Sequence, residues 1–121
     1  MYELRVTATF DSAHHLVDSG TKCDNLHGHT WKVMVCLRST KLQREGWVVN
    51  FSTVKQQLNG ILDDFDHHVV NDVVHIPTAE NIARHLYNRM TQGIGQHCRD
   101  VCVAWVEVYE TPGCGVRYYE Q

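Results

Sequence analysis

Residues 2–10 alternate without a break. Tyr2, Leu4, Val6, Ala8 and Phe10 are apolar, and Glu3, Arg5, Thr7 and Thr9 stand between them. A period of two over that length describes a strand with one buried and one open face. Residues 27–38 repeat it, with Trp31, Val33, Val35 and Leu37 on one side. Strands of this kind need a second layer over their apolar face.

Two helical patterns supply that layer. Val54, Leu58, Ile61, Leu62 and Phe65 recur at helical spacing, with Ser52 as the expected N-cap. Ile82, Ala83, Leu86 and Met90 form a second apolar stripe, with Thr78 as N-cap and Gly93 and Gly95 as the expected end. Residues 16–26 and 39–46 read as loops, and Trp47–Phe51 as a short strand or extended lead-in. Residues 101–111 are strand-like and apolar on both faces. Pro112–Gly115 is a turn, and residues 116–119 a last strand. The order is strand, strand, helix, helix, strand, strand. It predicts an α+β domain over residues 1–121, a four-stranded antiparallel sheet with two helices on one face. The two-faced strand at 101–111 predicts that a second subunit covers the other face.

Composition excludes several classes. The chain has 121 residues, too few for a second domain. With 43% hydrophobic and 21% charged residues it is not a disordered chain. A formal charge of −3 gives no basic surplus for nucleic acid. No apolar run is long enough for a membrane helix, and residues 1–10 do not read as a secretory signal, so the expected setting is the cytoplasm. Five cysteines without a Cys-x-x-Cys pair are expected to be reduced.

Nine histidines are the unusual count, one more than the eight glycines. His27-Gly28-His29 places two imidazoles on one strand face. Both are in phase with Trp31, Val33 and Val35, and His14 is in phase with Phe10 if the first strand runs that far. Three imidazoles on buried-side positions are costly without partners, and a metal would satisfy them. A lone His-x-His is more simply a pair of hydrogen-bonded histidines; with His14 in phase and Cys23 nearby, metal binding is the favoured reading. Three His ligands with an open position make a catalytic zinc, and Cys23 as fourth ligand would make a closed structural one. Cys23 is otherwise a base or nucleophile beside the metal. Asp66-His67 is an acid–base pair or a chance neighbour. Glu110, followed by Thr111, is an exposed strand-end charge or an anchor for a ring bearing N–H groups. Thr78 and Glu80 are most simply a helix cap and a favourable first-turn acid.

Six phrases occur in order: Phe10-x-x-Ala13-His14, Cys23-x-x-x-His27-Gly28-His29, Gly46-x-Val48-x-x-Phe51, Asp66-His67, Pro77-Thr78-x-Glu80-Asn81 and Glu110-Thr111. Together they resemble the 6-pyruvoyltetrahydropterin synthase / 6-carboxytetrahydropterin synthase family, from about residue 5 to the C-terminus. The resemblance implies a tunnelling fold whose subunits assemble into a barrel as trimers or dimers of trimers. It implies active sites at subunit junctions, where Asp66 and His67 serve a zinc held by a neighbouring chain. It implies that His14, His27 and His29 hold Zn2+, that Cys23 is the general base, and that Asp66 and His67 relay protons. Glu110 would then anchor a pterin, with Thr111, Thr78 and Glu80 near it.

The three-residue gap between Cys23 and His27 resembles the bacterial 6-carboxy-5,6,7,8-tetrahydropterin synthases of queuosine synthesis. Asn50, where many bacterial members carry Asp, and Phe65, in place of Leu, depart from that pattern. The implied reaction converts 7,8-dihydroneopterin triphosphate to 6-carboxy-5,6,7,8-tetrahydropterin, acetaldehyde and triphosphate. The alternatives are the pyruvoyl synthase reaction, which keeps the side chain, a non-enzymatic zinc-binding module closed by Cys23, and a generic zinc hydrolase, for which no His-Glu-x-x-His is present.

Overall fold

The computed structural model describes all 121 residues, apart from the side chain of His97. Strands β1 (Tyr2–His14) and β2 (His27–Ser39) form a long antiparallel pair. Helices α1 (Phe51–Leu62) and α2 (Ala79–His97) follow, then β3 (Cys102–Thr111) and β4 (Cys114–Tyr118). The sheet has four antiparallel strands in the order β1-β2-β3-β4. Its outer strands are therefore β1 and β4.

The alternation of the first strand holds through its last residue, so Phe10, Ser12 and His14 share the buried side. Val6, Val33, Val35, Leu37, Val106 and Val108 face Val54, Leu58 and Ile61 of α1 and Ile82, Leu86 and Met90 of α2 in one apolar cluster. Phe65 is fully buried against Phe10, with ring centroids 5.4 Å apart. The departure from Leu at this position therefore fills core volume beside an aromatic neighbour.

Several boundaries differ from expectation. The N-cap of α1 is Asn50, not Ser52: its side chain accepts from the Ser52 N–H at 2.8 Å. Asn and Asp cap equally well, so Asn50 does there what an Asp would do. Trp47–Asn50 is an irregular lead-in without strand pairing. Helix α2 does not stop at Gly93 or Gly95 but runs on to His97. Gly93 has a packing reason to be there. A Cβ on it would come within 2.1 Å of Gln57 Oε1, and Gln57 Nε2 donates to its carbonyl at 3.2 Å. The turn after β3 is only Pro112-Gly113, and β4 begins at Cys114.

The helix-free face carries some cover from the chain's own side chains. Trp105 is 7% exposed, and Arg117 of β4 lays its guanidinium 3.9 Å above the indole. Glu107 accepts from Arg117 Nε at 3.1 Å. Cover for the two-faced strand comes partly from its own chain.

Candidate metal centre

The centre forms where β1 ends, β2 begins and β3 ends. His14 pairs directly with His27 across the β1–β2 ladder, and Ser12 with His29. The two-residue period then puts all three imidazoles on the buried side, next to Trp31. The His14 ring meets the Trp31 ring edge-on with centroids 4.8 Å apart. Glu110 joins from β3, in phase with the buried Val106 and Val108. One donor atom from each of His14, His27, His29 and Glu110 lies within 4.8 Å of the other three.

Hydrogen bonds outside the cluster set the tautomers. His14 Nδ1–H donates to the Pro77 carbonyl at 2.8 Å, and His27 Nδ1–H donates to the Asn25 carbonyl at 2.6 Å. A carbonyl can only accept, so both Nε2 atoms carry lone pairs into the cluster. They face each other at 3.0 Å. Two lone pairs at that distance repel unless a cation or a proton lies between them. His29 Nε2 is buried and without a hydrogen bond of acceptable geometry, although Glu110 Oε1 stands 2.8 Å away. Burial pushes the His29 imidazole below its ordinary pKa, which keeps it neutral and able to ligate. Outer hydrogen bonds on Nδ1, converging Nε2 atoms and one carboxylate form a donor set that fits a zinc-type ion.

Two hollows border the centre. One, of about 710 Å³, has His29 and Glu110 in its wall with Thr9, Lys32, Tyr109 and Thr111. Its volume suits a drug-sized or cofactor-sized molecule. The other, of about 720 Å³, runs from His29 and Gly28 to Asp11 and His67.

The Asp66–His67 segment reaches this place by strapping itself to β1. His67 N–H donates to the Asp11 carbonyl at 2.7 Å and Ala13 N–H to the His68 carbonyl at 3.3 Å. Asn71 closes the strap, accepting from His15 N–H at 3.0 Å and donating to its carbonyl at 2.9 Å. His67 takes a left-handed backbone conformation with φ of 59° and leaves its ring 78% exposed. Asp66 Oδ1 accepts from Asp11 N–H at 2.8 Å, and Oδ2 lies 3.1 Å from His67 Nδ1. The Asp11 N–H, with His67 beside it, holds the Asp66 carboxyl below the usual carboxylate range. Within one chain His67 already borders a hollow that His29 borders.

Cys23 does not join the four-residue cluster. It sits half-buried in a short 3-10 turn, Lys22–Asp24, whose carbonyl at Cys23 accepts from Leu16 N–H at 2.7 Å. Thr78 caps α2 by accepting from Asn81 N–H at 3.2 Å, and Glu80 is exposed in its first turn. Neither Thr78 nor Glu80 lines the two hollows.

Sequence reasoning missed the Pro77 carbonyl, Asp11 and Asn71, which act through backbone or long-range contacts that leave no local pattern. It also missed that Glu110 stands among the imidazoles, although its phase with Val106 and Val108 was a usable signal.

The chain matches the family model described as 6-pyruvoyl tetrahydropterin synthase over residues 3–121. It is 30% identical to the 6-carboxy-5,6,7,8-tetrahydropterin synthase of Haemophilus influenzae, covering 99% of this chain and 100% of that protein. It is 32% identical to the protein of that name from Synechocystis, covering 92% of this chain and 88% of that one. Its fold superposes on the 6-pyruvoyl tetrahydropterin synthase of Caenorhabditis elegans with a TM-score of 0.84, at 21% identity, over 99% of this chain and 96% of that one. By its sequence over nearly every residue, and by its tunnelling fold, the chain belongs to the 6-pyruvoyl tetrahydropterin synthase family.

Proposed function

We propose that this chain is a zinc-dependent lyase acting on 7,8-dihydroneopterin triphosphate. With one water consumed, the products are 6-carboxy-5,6,7,8-tetrahydropterin, acetaldehyde and triphosphate. The observation that carries this reading is the convergence of His14, His27 and His29 Nε2 beside a hollow of about 710 Å³. The relatives named 6-carboxy-5,6,7,8-tetrahydropterin synthase support this product, as does the three-residue gap between Cys23 and His27.

His14, His27 and His29 hold the ion. When bound, zinc supplies a Lewis acid for the hydroxyls of the substrate side chain. Glu110 accepts hydrogen bonds from the amino and ring N–H groups of the pterin and so sets its orientation. Thr111 lines the same hollow. Cys23 takes a proton from the side chain as general base. His67, oriented by Asp66, moves the others. Triphosphate leaves with the three carbons intact; water then adds at the carbon attached to the ring, and the bond from that carbon to the next breaks, leaving the carboxyl group and releasing the other two carbons as acetaldehyde.

Thr78 fixes the turn that carries Pro77, and through it the His14 ring. Thr78 and Glu80 meet a pterin only across a subunit boundary. A homo-oligomer, a trimer or a pair of trimers, supplies that boundary by joining the two outer strands, β1 and β4. Five free cysteines suit a reducing, cytoplasmic setting.

The pyruvoyl synthase reaction is the second reading, favoured by the description of the matching family model. A closed structural zinc site is disfavoured, because Cys23 lies outside the cluster that would have to include it. Mass analysis of the products formed from 7,8-dihydroneopterin triphosphate separates the first two. Acetaldehyde with the 6-carboxy product supports the proposal; an intact three-carbon side chain with triphosphate lost refutes it in favour of the second.

A further inference from the structure

We propose that the Glu110 carboxylate occupies the fourth position on the metal while the pocket is empty, and leaves it for the pterin N–H groups when substrate enters. This rests on the metal-centre reading above and adds a ligand exchange to it.

The distances are those of a ligand. Donors at about 2.0–2.1 Å from a tetrahedral ion stand about 3.3 Å apart. Glu110 Oε1 lies 2.8 Å from His29 Nε2, 3.4 Å from His14 Nε2 and 4.0 Å from His27 Nε2. These values straddle the edge of such a tetrahedron. The His14–His27 edge is 3.0 Å.

The direction of the closest contact agrees. A proton on His29 Nε2 aimed at Glu110 would make an ordinary hydrogen bond at 2.8 Å, yet the geometry of one is not met. A nitrogen and an oxygen that are close but not aligned with each other are what two ligands aimed at a common third point look like.

The strand end permits two positions. The β3–β4 ladder has an irregularity between Tyr109 and Thr111, so Glu110 is passed over in the pairing with β4. Its side chain is 30% exposed and lines the hollow of about 710 Å³ together with His29. The carboxylate therefore stands between the centre and the pocket, within reach of both.

The exchange has a chemical consequence. Three neutral imidazoles leave the full double charge on a divalent ion, and a carboxylate halves it. In the empty pocket that lowers the ion's acidity and keeps water from the open position. Substrate restores the acidity by drawing the carboxylate to its own N–H donors.

The test uses the metal alone. Co(II) replaces zinc in the full-length protein, because its visible absorption reports the number and type of ligands. Wild type, Glu110→Gln, Glu110→Asp and His29→Ala are compared, each checked for folding by circular dichroism. Wild type is expected to bind one ion per chain with an intense four-coordinate spectrum. In Glu110→Gln the spectrum changes and zinc affinity, from competition with a chelator, falls at least about tenfold. Neopterin, a pterin with the side-chain hydroxyls and no triphosphate, shifts the wild-type spectrum. If Glu110→Gln and Glu110→Asp both bind one ion with wild-type spectrum and affinity, the exchange is wrong and the three-histidine centre stands. If wild type binds no ion, or His29→Ala binds it as well as wild type, the centre itself is wrong and the exchange falls with it.

Discussion

His14 Nδ1 lies 2.8 Å from the carbonyl oxygen of Pro77, and this bond turns the other ring nitrogen toward His27. A loop residue 63 positions away thus fixes the tautomer of a strand-end candidate ligand. Replacing His14 by Ala removes the ligand and leaves the Pro77 carbonyl unpaired. Zinc affinity should drop by more than the roughly 10–100-fold that losing an outer partner costs, measured by chelator competition. Unchanged affinity would remove His14 from the centre.

Cys23 stands outside the cluster, so the proposed roles of its thiol and of the three histidines are separable. Cys23→Ala should keep one zinc per chain and its melting temperature while turnover falls about 10²–10⁴-fold, the range of a lost acid–base group. Loss of zinc together with stability would instead make Cys23 a ligand of a structural site.

His85, away from the histidine cluster, gives a pH dependence of folding of its own. Its ring packs edge-on against Phe65 with centroids 5.6 Å apart, and its Nε2 is buried without a partner. Burial, with Arg89 adding to it and Asp64 opposing, lowers its pKa from the ordinary 6.5. The unfolded chain therefore takes up this proton first as pH falls. Stability is unaffected well above 6.5 and declines as pH drops through that value. Urea midpoints at pH 7.5 and 5.5 should fall less in His85→Leu than in wild type. Equal slopes would show that His85 titrates freely.

Gly60 and Gly93 both lie inside helices, but only Gly93 touches another element. A Cβ on Gly60 meets nothing within 4 Å, whereas on Gly93 it meets Gln57. Gly60→Ala should stabilise the chain by about 0.5–1 kcal/mol through helix propensity. Gly93→Ala should gain nothing, because it displaces Gln57 and its hydrogen bond. In a Gln57→Ala background the Gly93→Ala gain should return. Thermal denaturation of the four variants checks this; a full gain from Gly93→Ala alone would contradict the packing account.

The regular parts of the fold were legible in the sequence because they repeat. Alternation carried β1 through His14, and that phase alone put three imidazoles on one side. What failed was punctuation. Gly93 reads as a helix end, yet here it is a helix residue that lets Gln57 approach. Ser52 reads as a cap, but Asn50 stands two residues earlier with a better-placed oxygen. The Asp66–His67 pair was visible, but its docking was not. Asn71 and the Asp11 backbone hold the strap across more than 50 positions, and backbone groups carry no signature.

The central claim is that three histidines hold a metal ion the reaction needs. The most direct measurement is turnover of 7,8-dihydroneopterin triphosphate by chelator-stripped protein, titrated with zinc. The account predicts no acetaldehyde from the stripped protein and a rise that saturates at one zinc per chain, absent in His29→Ala. Full turnover by the stripped protein, or by His29→Ala, would contradict it.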